Sequence, residues 1–259
     1  MNNSFVDFYG ATKWLYTKIY ENPVFFFDYW SFVHLIAGFL IILTLLAFNI
    51  KHRWAMLFAL LTLWEIVELL FKFFALNIFK PETFKDQITD IVIGLISGLI
   101  TYLIIKNKDK IYSKIHISQE FVASVMSTSV LAFLWMGTYQ YHYSANIFNT
   151  QGLNIWAFLL CFLGANLIIK SFIYCKNYFK KTSSSFVMLL GLYYISLFII
   201  EYVGRYLVEI NEISSSSNAP LAFGLIYGNM TLHIIYIIAP VIVILFYSIL
   251  IWLFRRILL

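Results

Sequence analysis

The stretch SFVHLIAGFLIILTLLAFNI, residues 31–50, decides the fold. It holds one titratable side chain, His34, and apart from Ser31, Thr44 and Asn49 is otherwise apolar for roughly the 20 residues that a helix needs to cross a bilayer. Runs of the same kind recur near residues 53–76, 87–105, 120–138, 154–174, 185–209 and 231–254. The chain as a whole is 61% hydrophobic and 12% charged, too little polar surface to clothe a soluble domain of 259 residues. Strand-length alternation is missing, which argues against a transmembrane barrel. The expectation is an all-α, polytopic integral membrane bundle of about seven transmembrane helices set in a lipid bilayer.

Loop charge orients these spans, because short cytoplasmic loops retain Lys and Arg. Lys51 and Arg53 follow the first span, Lys106, Lys108, Lys110 and Lys114 the third, Lys176, Lys180 and Lys181 the fifth, and Arg255 and Arg256 end the chain. The intervening connections are balanced, nearly uncharged or acidic, so the N-terminus is expected outside and the C-terminus inside. The net charge of +5 then reflects membrane topology and gives no reason to invoke nucleic acid. The localisation expected is integral to a membrane, taken to be a bacterial plasma (inner) membrane, with the polar residues on its non-cytoplasmic side.

Four segments are expected. Residues 1–30 lack a cleavable signal and read as interfacial, with Phe5, Phe8, Tyr9, Leu15, Ile19 and Tyr20 lining one side of a helix. Residues 31–105 carry three spans and an acidic cluster, 106–118 form a basic cytoplasmic loop, and 119–259 carry four spans. Cys161 and Cys175 offer neither a disulfide assignment nor a metal pattern.

The titratable residues inside or beside the apolar spans gather toward the outer side, and such groups are functional candidates because they are costly in lipid. In the first half they are His34, Glu65, Glu68, Asp86 and Asp90. Glu65 and Glu68 are three apart and Asp86 and Asp90 four apart, so each pair shares a helix face. Gly38, Gly94 and Gly98 would let the backbones pack closely beneath them. Four carboxylates in that setting need shared protons, basic partners or a cation. With one imidazole they suit a divalent ion such as Mg, Mn or Zn, with His34, Glu68, Asp86 and Asp90 as ligands and Glu65 and Glu68 as catalytic groups. The plainer alternatives are helix-locking hydrogen bonds and, for Asp86 beside Glu82 and Lys85, a solvated loop acid.

His34-x-x-x-Gly38, Trp64-Glu65-Ile66-Val67-Glu68 and Asp86-Gln87-Ile88-Thr89-Asp90 followed by Gly94 together resemble VanZ-like small membrane proteins over approximately residues 28–105. The chain departs from that group in reading Trp30-Ser31-Phe32-Val33-His34 for an Asp-Lys-x-x-His start, and in lacking an Asn before Gly94. The resemblance implies an outward-facing role in the cell envelope, linked with resistance to glycopeptides, and no particular reaction.

The second half has its own polar residues. Glu201 and Arg205 are four apart, as are Asn229 and His233, and Tyr236 lies three residues beyond His233. Tyr139, Gln140, Tyr141 and His142 follow the fourth span. A structural ion pair is the plainer reading of Glu201 and Arg205. In the functional reading Arg205 clamps an anion, with Glu201, Asn229 and His142 beside the substrate and His233 transferring a proton.

Three classes of function remain. One is a metal-assisted enzyme acting on a phosphate-bearing or lipid-linked envelope substrate, although no P-loop, Gly-x-Ser-x-Gly elbow or familiar nucleophile set is present. Another is a non-catalytic resistance protein or an accessory subunit that meets a membrane-protein partner. The third is a proton- or cation-coupled transporter, which needs polar residues continuing toward the cytoplasmic side, where Ser97, Thr101 and Ser127-Thr128-Ser129 are sparse.

Overall fold

The computed structural model describes residues 13–73, 83–107, 118–138, 141–149, 153–210, 219–221, 226–228 and 230–258. Among them seven α-helices account for most of the structure: α1 (Ser31–Ala47), α2 (Arg53–Phe73), α3 (Phe84–Lys106), α4 (Gln119–Thr138), α5 (Ile155–Phe179), α6 (Thr182–Tyr202) and α7 (Met230–Leu258). A π-helical turn, Val203–Leu207, continues α6. Among the described residues, five helical stretches are long and apolar enough to cross a membrane, at Phe84–Lys106, Gln119–Met136, Ile155–Phe179, Thr182–Leu207 and Leu232–Ile257. Helix α1 is apolar but only 17 residues long, and α2, of 21 residues, interrupts its apolar run with Glu65 and Glu68. The chain is a helical membrane protein. Its outer faces agree with that: Leu160, Leu163 and Leu167 on α5 and Val187, Ile195 and Ile200 on α6 are all more than half exposed. Apolar surface of that extent is suited to lipid contact.

The chain forms two compact units, Met1–Val122 with Leu250–Leu259, and Ala123–Ile249. In the first, α1 packs along α3, and α2 closes against both. Ile42 and Leu45 of α1 and Leu57 and Leu61 of α2 are buried together, flanked by Ile91, Leu95 and Tyr102 of α3. Helix α3 begins at Phe84, three residues before the start expected from hydropathy, because the Thr83 side chain accepts the backbone N–H of Asp86 at 3.3 Å and caps the first turn.

The interfacial helix expected near the N-terminus is replaced, over its described part, by a 3₁₀ turn at Lys13–Tyr16 and a hairpin of β1 (Lys18–Glu21) and β2 (Phe26–Asp28). Leu15 is buried, whereas Ile19 and Tyr20 are exposed, so the three share no helix face. The local cause is Asn22-Pro23. The Asn22 side chain accepts the N–H groups of Val24 and Phe25 at 2.9 and 2.6 Å, turning the chain where Pro23 has no donor for a helix. Phe5, Phe8 and Tyr9 lie outside the described residues. A second short hairpin pairs β3 (Ala219–Leu221) with β4 (Ile226–Gly228).

In the second unit, helices α4 and α5 are tied by an amide. Asn166 accepts from Ser124 at 2.9 Å and donates to Thr128 at 2.8 Å and to the Phe162 carbonyl at 3.0 Å. Bonds of this kind hold helices together where water is absent and apolar surface gives no preference between lipid and protein.

Candidate metal centre

The spacing of the acids along α2 and α3 fixes which faces they occupy, and both faces turn inward. Glu65, Glu68, Asp86 and Asp90 are all buried, at 5%, 1%, 5% and 1% exposure, while Trp64, Ile66 and Leu69 on the other side of α2 are exposed. The solvated-loop reading of Asp86 is therefore overturned, since the early start of α3 carries it into the bundle. Its neighbour Lys85 is tied to the Glu21 carboxylate and to the Asn22 carbonyl, holding the N-terminal hairpin against α3.

Helix α1 supplies the base. His34 is 1% exposed, and it lies one turn above Gly38, where α1 and α3 touch backbone to backbone. That closeness delivers the imidazole to the carboxylates. His34 Nδ1 stands 3.5 Å from Glu65 Oε1, and Nε2 stands 3.4 Å from Asp90 Oδ2. The ligating atoms of His34, Glu65 and Asp90 all lie within 4.8 Å of one another. Among the described residues this is the compact group of candidate ligands, so Glu65 takes the place that sequence reading gave to Glu68. Glu68 and Asp86 are buried on the same two faces, one turn away from it.

These separations are longer than an N–H···O hydrogen bond, whose mode is about 2.9–3.0 Å. Donors at about 2.0–2.1 Å from a tetrahedral ion are themselves separated by about 3.3 Å. The donor chemistry fits as well, with one imidazole and two carboxylates lacking a soft sulfur ligand. With a cation on one ring nitrogen, the carboxylate at the other would receive the remaining N–H and fix the tautomer. The group can hold a metal ion.

A residue that sequence reading passed over adjoins this centre. Asp28, 2% exposed, accepts the Ser31 backbone N–H at 3.0 Å, and the Ser31 hydroxyl reaches Asp90 Oδ1 at 2.9 Å. An Asp three residues ahead of a Ser at a helix start is the available sequence signal, because a side-chain acceptor there satisfies a free helix N–H.

The candidates in the second unit are placed as follows. Glu201, in the last turn of α6, and Arg205, in the π turn, are half-buried; His142 is exposed on the connection after α4; Asn229 lies outside the described residues. His233 is buried near the start of α7, and its Nε2 has no hydrogen-bond partner among the described residues. A donor chain runs from the Trp135 indole to Tyr141 at 3.2 Å, from Tyr141 to Tyr236, and from Tyr236 to the Glu201 carboxylate. Sequence reading noted the Tyr236 hydroxyl but not this link, which joins residues far apart in the chain.

No family model, curated protein or solved structure matches the chain.

Proposed function

We propose that this chain is a seven-span envelope protein related to the VanZ-like group, with its N-terminus outside, and that its first unit binds a divalent ion for work on a phosphate-bearing lipid. The observation that supports this reading is the buried imidazole of His34 set between Glu65 and Asp90. Zinc and manganese suit the mixed imidazole and carboxylate donors better than magnesium, which prefers oxygen and retained water. Such an ion would polarise a phosphoryl oxygen or lower the pKa of a bound water. His34 through Nε2 and Asp90 would hold it, and Glu65, at Nδ1, would accept the remaining imidazole N–H and fix the ring.

Transport is less well supported. Beyond Asp90 the inward face of α3 offers Ser97 and Thr101, whose hydroxyls donate to the carbonyls of Leu35 at 2.6 Å and Ser97 at 2.8 Å. Their protons are committed to backbone, and no second carboxylate follows them on α3. The test is release of inorganic phosphate from polyisoprenyl phosphates and diacylglycerol phosphate by purified protein supplied with zinc or manganese. Metal-dependent turnover that disappears in Asp90→Asn supports the reading. Absence of turnover and of saturable lipid binding with either ion overturns it in favour of a non-catalytic subunit.

A further inference from the structure

The geometry points to Asp28 and Ser31 as positioning residues for the metal centre: acting through the Ser31 hydroxyl, they set the rotation of the Asp90 carboxylate so that Oδ2 is the ligating oxygen. This rests on the metal reading above and extends it to the entry of α1, whose Asp28 and Ser31 were not among the expected site residues.

The two oxygens of Asp90 have different surroundings. Oδ1 accepts from the Ser31 hydroxyl at 2.9 Å, while Oδ2 faces His34 Nε2 at 3.4 Å. A carboxylate on a single methylene swings about its terminal torsion, which has only broad preferences. A hydrogen bond to one oxygen removes that freedom and presents the other to the cation. The Ser31 hydroxyl is itself fixed. The Asp28 N–H points to Ser31 Oγ at 3.3 Å, and Asp28 Oδ1 lies 3.0 Å from the Ser31 backbone nitrogen and 3.2 Å from Oγ. With that lone pair occupied by the Asp28 N–H, the shorter of the two hydroxyl contacts, 2.9 Å against 3.2 Å, directs the single hydroxyl proton to Asp90. Asp28, Ser31 and Asp90 are respectively 2%, 0% and 1% exposed, so water does not compete for these bonds. Partners of metal ligands that act in this way typically contribute 10–100-fold in affinity.

What Asp28 contributes here is an acceptor oxygen, not charge, and this separates positioning from electrostatics. Zinc affinity is measured by chelator competition on full-length protein in detergent for wild type, Ser31→Ala, Asp28→Ala and Asp28→Asn, with the melting temperature of each metal-free protein recorded. The expected result is a loss of about 10–100-fold in Ser31→Ala and a smaller loss in Asp28→Ala. Asp28→Asn keeps the acceptor and restores near wild-type affinity. Affinity unchanged in Ser31→Ala, or Asp28→Asn as weak as Asp28→Ala, overturns the inference while leaving the metal reading intact. Should Ser31→Ala not fold, the comparison of the two Asp28 variants decides alone. A wild type that binds no zinc overturns the metal reading and this inference with it.

Discussion

Gly38 of α1 lies directly on Gly94 of α3, so closely that a Cβ on Gly38 would overlap the Gly94 carbonyl. Backbone cannot yield as a side chain can, so Gly38→Ala must push the two helices apart. The expected cost is at the upper end of about 1–3 kcal/mol, with His34 carried away from Asp90. At Gly94 and Gly98 an added Cβ meets instead the terminal methyls of Leu61 at 2.8 Å and Leu57 at 2.6 Å, which can rotate aside. Thermal unfolding in detergent should therefore rank Gly38→Ala below both Gly94→Ala and Gly98→Ala.

The Glu21–Lys85 pair should make the N-terminal hairpin sensitive to acid. The Lys85 ammonium, and after it Lys18 at 3.0 Å, hold the Glu21 carboxyl below its usual value of 4.5. A carboxyl whose pKa falls on folding contributes stability above its unfolded pKa and loses it as pH drops through the folded value. The difference in melting temperature between wild type and Glu21→Gln should be present at about pH 6–7 and be lost as pH falls through the lowered folded value. A difference independent of pH contradicts the pairing. Because Glu21 is exposed, salt should also shrink it.

The helices, to within a few residues at their ends, and the faces shared by the acids were legible, the first from apolar runs and the second from helical spacing. Glu65 with Glu68 and Asp86 with Asp90 could be placed on shared faces by counting alone. Which of them would meet His34 was not legible, since this depends on how α2 and α3 rotate about their axes. The Gly38–Gly94 contact sets that relation for α1 and α3, and selects Asp90 over Asp86. The hairpin at residues 18–28 was not expected because Leu15, Ile19 and Tyr20 continue a helix pattern from the residues before them, whereas the Asn22-Pro23 turn overrides it. Asp28 was missed for the related reason that it precedes the apolar run from which the first span was read.

In the second unit, Tyr236→Phe removes a donor to the Glu201 carboxylate and the acceptor for Tyr141. A hydrogen bond typically contributes about 0.5–1.5 kcal/mol net, and losing both contacts should cost more than one such bond. Tyr194→Phe, whose hydroxyl donates to the Ile237 carbonyl at an exposed position, should cost less. Equal melting temperatures for the two variants would show that the chain ending on Glu201 adds nothing to stability.

The Asn166 amide joins α4 and α5 through Ser124 and Thr128. Interhelical hydrogen bonds in membrane proteins average about 0.6 kcal/mol, with the strongest near 1.7. Two interhelical bonds on one side chain place Asn166→Ala toward the upper figure, and a double-mutant cycle with Thr128→Val should assign part of it to that pair. Zero coupling in the cycle would contradict the bridge.

The central claim is that His34, Glu65 and Asp90 form a site for a divalent ion. Elemental analysis of purified, monodisperse protein, comparing wild type with Glu65→Gln combined with Asp90→Asn, tests it most directly. The account predicts one zinc or manganese per chain in the wild type and none in the folded double variant. Equal metal content in the two proteins, or none in either, would contradict it and leave His34 as a histidine locked between two carboxyl groups for structure alone.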